Sequence, residues 1–208
     1  MDSRSLWAAS HGLAEACRHH PFVTGMADGS LDRAVFQHYV GQDAFFLEAF
    51  AKAYALGLAK AADLATMQRF KALLDGAMDE RDLHSGYAER WDVDLHPEPT
   101  PATRAYTDFL LSVATLEPAG HLCAAMTPCM RLYAWLGQQL QSITAPESPY
   151  LEWVNTYADP SFDDLAKTME ALLDDLGGDP SVIERHYTTA MELELAFFDS
   201  ALRRGVAL

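Results

Sequence analysis

The chain is short of basic residues, of cysteine, of β-branched runs and of long apolar stretches, and each shortage excludes a class of protein. Fifteen Lys and Arg stand against thirty Asp and Glu, a formal net charge of -15 that repels phosphate backbones and anionic lipid headgroups. No nucleic-acid partner is expected. Half of the residues are hydrophobic, yet no uninterrupted apolar run reaches the ~18 residues a membrane span needs, so no membrane partner is expected either. The opening Met-Asp-Ser-Arg-Ser-Leu-Trp lacks the basic region and apolar stretch of a signal peptide. Cys17, Cys123 and Cys129 are odd in number and lack zinc-site spacing, a usage that fits a reducing, cytoplasmic compartment with free thiols.

Period-two alternation is absent as well, while Ala, Leu, Met, Glu and Gln dominate long segments, so the fold class is all-α. Spacing and punctuation predict helices at about Ser3–His19, Asp32–Ala59, Asp63–Trp91, Pro101–Thr115, Pro118–Ser142, Pro149–Tyr157, Ser161–Leu176 and Pro180–Arg204. Between them stand turn-forming clusters such as Asp28-Gly-Ser-Leu-Asp, His96-Pro-Glu-Pro-Thr-Pro and Gly177-Gly-Asp-Pro. With no long linker and no internal repeat, residues 1–208 are expected to form one helical bundle.

Two acids lie where apolar residues belong. On the second predicted helix Phe36, Tyr39, Val40, Phe46, Leu47 and Phe50 fall at helical spacing around Asp43. Burying an unpaired carboxylate would cost several kcal/mol. Asp43 therefore requires a donor, a raised pKa or a wet cavity. The last helix repeats the pattern, with Tyr187, Met191, Phe197 and Phe198 spaced around Glu194 and with Glu192 turned roughly 160° away. Between these helices in sequence, Cys129 follows Pro128 and stands one turn before Tyr133, which puts a thiol and a phenol on one helical face. Tyr106 starts an apolar face continued by Phe109, Leu110 and Val113, and Tyr157 ends a short helix, so either phenol could line a cavity. Taken singly, such tyrosines also fit core positions, and Cys129 fits a small buried hydrophobe.

A di-iron bundle would carry Glu-x-x-His on paired helices, and the chain has none. One Glu–His pair at the neighbouring i, i+4 spacing, Glu80 to His84, reads as a surface or supporting contact. His11, His19 and His20 gather near the end of the first predicted helix, where His20 before Pro21 reads as a terminator rather than a haem ligand.

The ordered set His20-Pro-Phe-Val, Phe36-x-x-Tyr-Val-x-Gln-Asp43, Ala124-x-x-x-Pro-Cys129-x-x-x-Tyr133, Trp153-x-x-x-Tyr157 and Glu194-x-x-Phe-Phe resembles the TenA family, also called thiaminase II, over roughly residues 7 to 203. The resemblance implies the haem-oxygenase-like all-α fold without haem. It implies a homotetramer and no metal or cofactor. The activity it implies is hydrolysis of 4-amino-5-aminomethyl-2-methylpyrimidine to the hydroxymethyl compound and ammonia, a step of thiamin salvage; many members also cleave thiamin. Carried over by position, Cys129 resembles the nucleophile, Asp43 the acid on the pyrimidine amino group and Glu194 the acid beside a ring nitrogen. Tyr106, Tyr133 and Tyr157 match pocket tyrosines.

Two departures bear on substrate choice. Where familiar bacterial members have adjacent tyrosines after the aspartate, this chain has Phe45 and Phe46, so Phe46 keeps an aromatic wall and loses a hydrogen bond. Met130 and Arg131 replace the aromatic pair after the cysteine, as in the cysteine-bearing branch of cyanobacterial and plant-like members. Arg131, roughly 200° around the helix from Cys129, is expected to make a subunit or helix contact. A formylamino pyrimidine is then an alternative substrate, and two further readings are a non-catalytic pyrimidine binder and a cofactor-dependent oxidase on the same fold.

Overall fold

The computed structural model describes residues 2–205, with the side chains of all of these except 81–85, 87, 89, 204 and 205. The described residues form ten α-helices and no strand. In chain order they are α1 (Ser3–Ala9), α2 (His11–Arg18), α3 (Pro21–Asp28), α4 (Arg33–Lys60), α5 (Leu64–Trp91), α6 (Pro101–Leu116), α7 (Ala119–Gln141), α8 (Leu151–Ala158), α9 (Pro160–Leu176) and α10 (Pro180–Gly205). None of them is long and apolar enough to cross a membrane.

Local chemistry explains where most of them begin. The side chains of Asp2, Asp32, Asp63, Thr100 and Asp159 each accept a hydrogen bond from a backbone N–H of the first turn, and Pro101 and Pro160 sit where their missing N–H is no loss. The expected helix Ser3–His19 is instead two, broken at Ser10, whose backbone leaves helical values while its N–H still bonds back to Leu6. A further helix, Pro21–Asp28, fills the stretch left between the first two expected helices. His20 Nδ1 accepts from the Phe22 N–H at 3.2 Å and Pro21 occupies the first turn, so the pair that reads as a terminator is equally an N-terminal cap. His20 is buried, and its Nε2 reaches Asp199 of α10 at 3.3 Å.

The long helices α4, α7 and α10 pack against one another, α5 lies on α4 and α9, and α8 is clamped to α7. Helix α7 runs through the middle of this arrangement with most of its residues buried. Pro128 sits inside it and offers no N–H to the Ala124 carbonyl, and the Thr127 hydroxyl donates to the Cys123 carbonyl at 2.7 Å on the same stretch. One side of α7 is fixed by Arg131, which donates from Nε and a terminal nitrogen to both oxygens of Glu170 at 2.7 Å and from its other terminal nitrogen to Asp163 at 2.8 Å. This forked, mostly buried pairing ties α7 to α9. Of the two roles expected for Arg131, the structure supports the helix contact.

Gly137 lets α8 come close. A Cβ there would lie 2.3 Å from the carbonyl carbon of Tyr157 and 2.4 Å from the nitrogen of Ala158, distances that backbone cannot absorb without a shift of the helix. Gly137→Ala is therefore expected to destabilise the fold by about 1–3 kcal/mol, the usual penalty of overpacking. Urea denaturation checks this, and an unchanged midpoint would contradict the close approach of α7 and α8.

Candidate active site

The packing brings side chains from seven helices together, α6 and α9 supplying Tyr106 and Phe162. On α4 the buried residues Tyr39, Asp43, Phe46, Phe50 and Tyr54 follow one another at helical spacing, so one face carries a carboxyl group between aromatic rings. From α7 come Cys129 and Tyr133, and from α8 Tyr157, held by the approach at Gly137. Helix α10 contributes Glu194, 2% exposed, with Tyr187, Met191, Phe197 and Phe198 buried around it and Glu192 exposed. The apolar row Phe70, Leu73 and Ala77 of α5 continues into Glu80.

A small, partly open cavity of about 10 Å³, no larger than one water requires, is lined by Asp43, Phe46, Glu80, Cys129, Tyr133 and Tyr157, with Leu47, Phe50, Met130 and Phe162 completing its wall. Behind the thiol, Glu194 Oε1 accepts from the Tyr106 hydroxyl at 2.7 Å and the carboxyl hydrogen-bonds Cys129. Tyr157 donates its hydroxyl to Glu80 Oε1, and Tyr39 donates to the Tyr133 hydroxyl at 3.1 Å. The rings brace one another, with Tyr133 and Tyr157 at 4.9 Å, Trp153 and Tyr157 at 4.6 Å and Phe46 and Tyr106 at 4.8 Å between centroids.

Burial dominates the electrostatics. Desolvation pushes the Glu194 carboxyl up to about 7 against the hydrogen bonds of Tyr106 and Cys129, and pushes Glu80 up to about 7 against that of Tyr157. Asp43 is raised well above the carboxylate range by desolvation and by the neighbouring charges of Glu80 and Glu194. The same desolvation, with Glu194, Glu80 and Asp43 adding to it, holds the Cys129 thiol well above its ordinary value. At rest the site is a protonated thiol among weak acids.

Of the residues singled out in sequence, Asp43, Phe46, Cys129, Tyr133 and Tyr157 share the cavity wall, whereas Tyr106 and Glu194 stand behind the thiol. Phe45, the other half of the Phe pair, is at the surface, so only Phe46 bears on the site. Glu80 corrects an expectation. It is not a surface or supporting acid but part of the wall, and the signal for it was its place three residues after Ala77 on the apolar row of α5. The side chain of His84, read with it as a pair, lies outside the described residues. Tyr39 entered the sequence reading as part of a stripe and of a motif but with no role of its own, and its hydroxyl donates to that of Tyr133.

Among the described residues one group could hold a metal ion, Glu117, His121 and His186, and it does not line this cavity. Glu117 Oε2 accepts from His121 Nδ1 at 2.9 Å and from His186 Nε2 at 2.8 Å. Because the Asp179 N–H donates to His121 Nε2 at 3.2 Å, the ring proton of His121 belongs on Nδ1, and the group forms a closed hydrogen-bonded strut between α6, α7 and α10.

Comparison with known proteins agrees with this architecture. The chain is 35% identical over 209 residues to an aminopyrimidine aminohydrolase of Halalkalibacterium halodurans, covering 95% of this chain and 93% of that one. A crystal structure of a TenA family transcription regulator from Silicibacter matches at a TM-score of 0.89 and 27% identity, over 96% of this chain and 95% of that one. Haem oxygenase-1 of the cyanobacterium Synechocystis matches at a TM-score of 0.65 and 19% identity over 97% and 94%, a likeness of fold alone. The model of the TENA/THI-4/PQQC family matches residues 7–204, nearly the whole run of helices that carries Cys129, Asp43 and Glu194, and the chain belongs to that family.

Proposed function

We propose that the protein is an aminopyrimidine aminohydrolase of thiamin salvage, a hydrolase that cleaves the exocyclic C–N bond of 4-amino-5-aminomethyl-2-methylpyrimidine through attack by Cys129. One observation carries this reading: the Cys129 thiol is held between a cavity walled by tyrosines and Asp43 on one side and the Glu194 carboxyl on the other. The name of the Halalkalibacterium halodurans relative supports the reaction class.

The chemistry follows from the protonation states. Direct displacement of an amine from an aminomethyl arm is slow, but a sulfur added to the electron-poor ring lets the ring expel it. A thiol as weakly acidic as Cys129 must lose its proton as it attacks, and Glu194 is the group in contact with it. Titrating near neutrality, Glu194 can take the thiol proton as carboxylate and pass it to a ring nitrogen, so that nucleophile and electrophile are activated together. Asp43, held protonated, offers one donor and one acceptor side by side, the complement of an aminopyrimidine edge. Tyr133 and Tyr157 supply walls on which the ring stacks.

Phe46 favours a second substrate. It presents a ring without a hydroxyl beside Tyr106, so the cavity has one fewer hydroxyl oxygen to accept from a charged aminomethyl group and suits the neutral formylamino compound. A panel of aminomethyl-, formylaminomethyl- and thiamin-derived pyrimidines, assayed by product mass and ammonia yield, separates the two. Binding of all three without turnover would replace the hydrolase with a pyrimidine-binding protein.

Cys129→Ser is expected to lower turnover on the order of 10³-fold with the thermal midpoint unchanged, and near-normal ammonia release by this variant would remove the proposed nucleophile. Asp43→Asn is expected to lower turnover about 10²-fold, and Glu194→Gln to do the same while abolishing the rise of kcat/KM with pH through about 7. A Glu194→Gln profile that superimposes on the parent would refute the proton transfer.

Stability carries a separate signature of the same carboxyl. Its folded value of about 7 exceeds the ordinary 4.5, so between these the folded chain holds a proton that the unfolded chain has lost. Stability contributed by that proton is complete below about pH 4.5 and is lost as the pH rises through about 7. Urea midpoints measured at about pH 5 and about pH 7.5 should therefore differ less in Glu194→Gln than in the parent, and an equal difference would show that burial does not raise this group.

A further inference from the structure

An outer groove of about 230 Å³ adjoins the small cavity beside Cys129. The two spaces share Phe50, Glu80, Met130 and Phe162, and among these four only Glu80 can move a proton. We propose that this groove receives the departing group of the substrate and that Glu80 protonates the leaving nitrogen, then takes a proton from the entering water. The proposal rests on the hydrolase reading above.

The groove is too large for ammonia alone and is built for something flat and electron-poor. Phe50, Phe162 and Met130 supply apolar walls, and Asp79 and Glu80 supply the acidic side, a lining that attracts an amine or an aromatic cation and repels an anion. Tyr54 also lines it. Its residue is 1% exposed, and its hydroxyl has no protein hydrogen-bond partner among the described residues, so a polar atom that would otherwise stay unsatisfied is available to a ligand in the groove. Glu80 is half-buried and faces both spaces, with Oε1 held by the Tyr157 hydroxyl. That bond orients the carboxyl on the dividing wall, where the exocyclic carbon must lie if the ring sits against Cys129 and the departing group in the groove. A carboxyl titrating at about 7 can act as acid and as base near neutrality.

The proton and electron balance closes. Addition of sulfur to the ring places an electron pair in it. That pair breaks the exocyclic C–N bond as Glu80 gives the nitrogen a proton, and ammonia leaves. Water then adds to the exocyclic carbon and gives a proton to the Glu80 carboxylate, the pair returns through the ring to sulfur, and Cys129 departs. Glu80 ends protonated as it began, and the sum is aminomethylpyrimidine and water to hydroxymethylpyrimidine and ammonia.

Two substrates with the same pyrimidine separate the roles. The aminomethyl compound must expel a nitrogen that needs a proton, whereas its pyridinium-methyl counterpart expels neutral pyridine and needs none. In single-turnover experiments Glu80→Gln should slow ammonia release on the order of 10²-fold and leave pyridine release within about threefold of the parent. Equal slowing of both, or of neither, would overturn the acid role. With the pyridinium compound in excess, the same variant should show a burst of pyridine followed by slow turnover, because no base assists the water; steady release without a burst would overturn the base role. Tyr157→Phe, which frees the Glu80 carboxyl without removing it, should give the same pattern at about a tenth of the size, and a reversed preference would argue for a structural effect. Thr156→Trp at the rim of the groove should raise KM for the pyridinium compound at least about tenfold more than for the aminomethyl compound, and a uniform change would place the departing group elsewhere. Cys129→Ser should slow both substrates alike, on the order of 10³-fold; if it does not, the cysteine attack on which the hydrolase reading rests fails and not the assignment of Glu80.

Discussion

Desolvation of carboxyl groups is the constraint around which the rest of the molecule is arranged. Asp43 and Glu194 are buried, Glu80 is half-buried, and all three are pushed toward the protonated form by the same loss of water. An interior of this kind persists only if each acid has a hydrogen-bonding neighbour and the surrounding helices stay packed. Tyr106 serves Glu194 and Tyr157 serves Glu80, so the phenols have a structural duty before any chemical one. Mutual repulsion keeps the group near neutral, because ionising one acid makes ionising the next harder.

Helix α7 converts that constraint into a geometry. Its two sides are fixed by different means, an ionic fork at Arg131 toward α9 and a backbone approach at Gly137 toward α8, with Tyr133 between them and Cys129 two residues before the fork. A thiol on a helix fixed at two points has little freedom, which suits a group that must meet one atom of a ring. The strut of Glu117, His121 and His186 does a similar service by joining α6 and α7 to α10, the helix that carries Glu194.

Much of this was legible in the sequence, and what was not has a physical reason. Asp43 and Glu194 were visible because each interrupts an apolar stripe with aromatic neighbours on both sides, and an acid in such a place must be accounted for. Glu80 obeys the same rule, but it comes at the end of the row Phe70, Leu73 and Ala77 and stands one turn before His84, so a paired surface reading competed with it. The helical class followed from composition and the missing period-two alternation, and most helix ends from spacing and turn-forming residues. The break at Ser10 and the short helix after His20 did not, because a serine within a helical pattern and a His-Pro pair each have two local outcomes, and tertiary packing chooses between them. Which phenols face the thiol and which brace another phenol, as Tyr39 does for Tyr133, depends on neighbours far away in sequence.

The three thiols share a property that reaches beyond catalysis. Burial raises Cys17 and Cys123 to about 12 and keeps Cys129 well above its usual value, so in the resting protein almost none of the sulfur is ionised. Peroxide and disulfide reagents attack thiolates. A cysteine that becomes reactive only after another molecule fills the space beside it is shielded from oxidation during the idle part of its life. For Cys129, which is only half-buried, that protection is chemical rather than steric: the retained proton, not a wall of side chains, keeps the sulfur from such reagents.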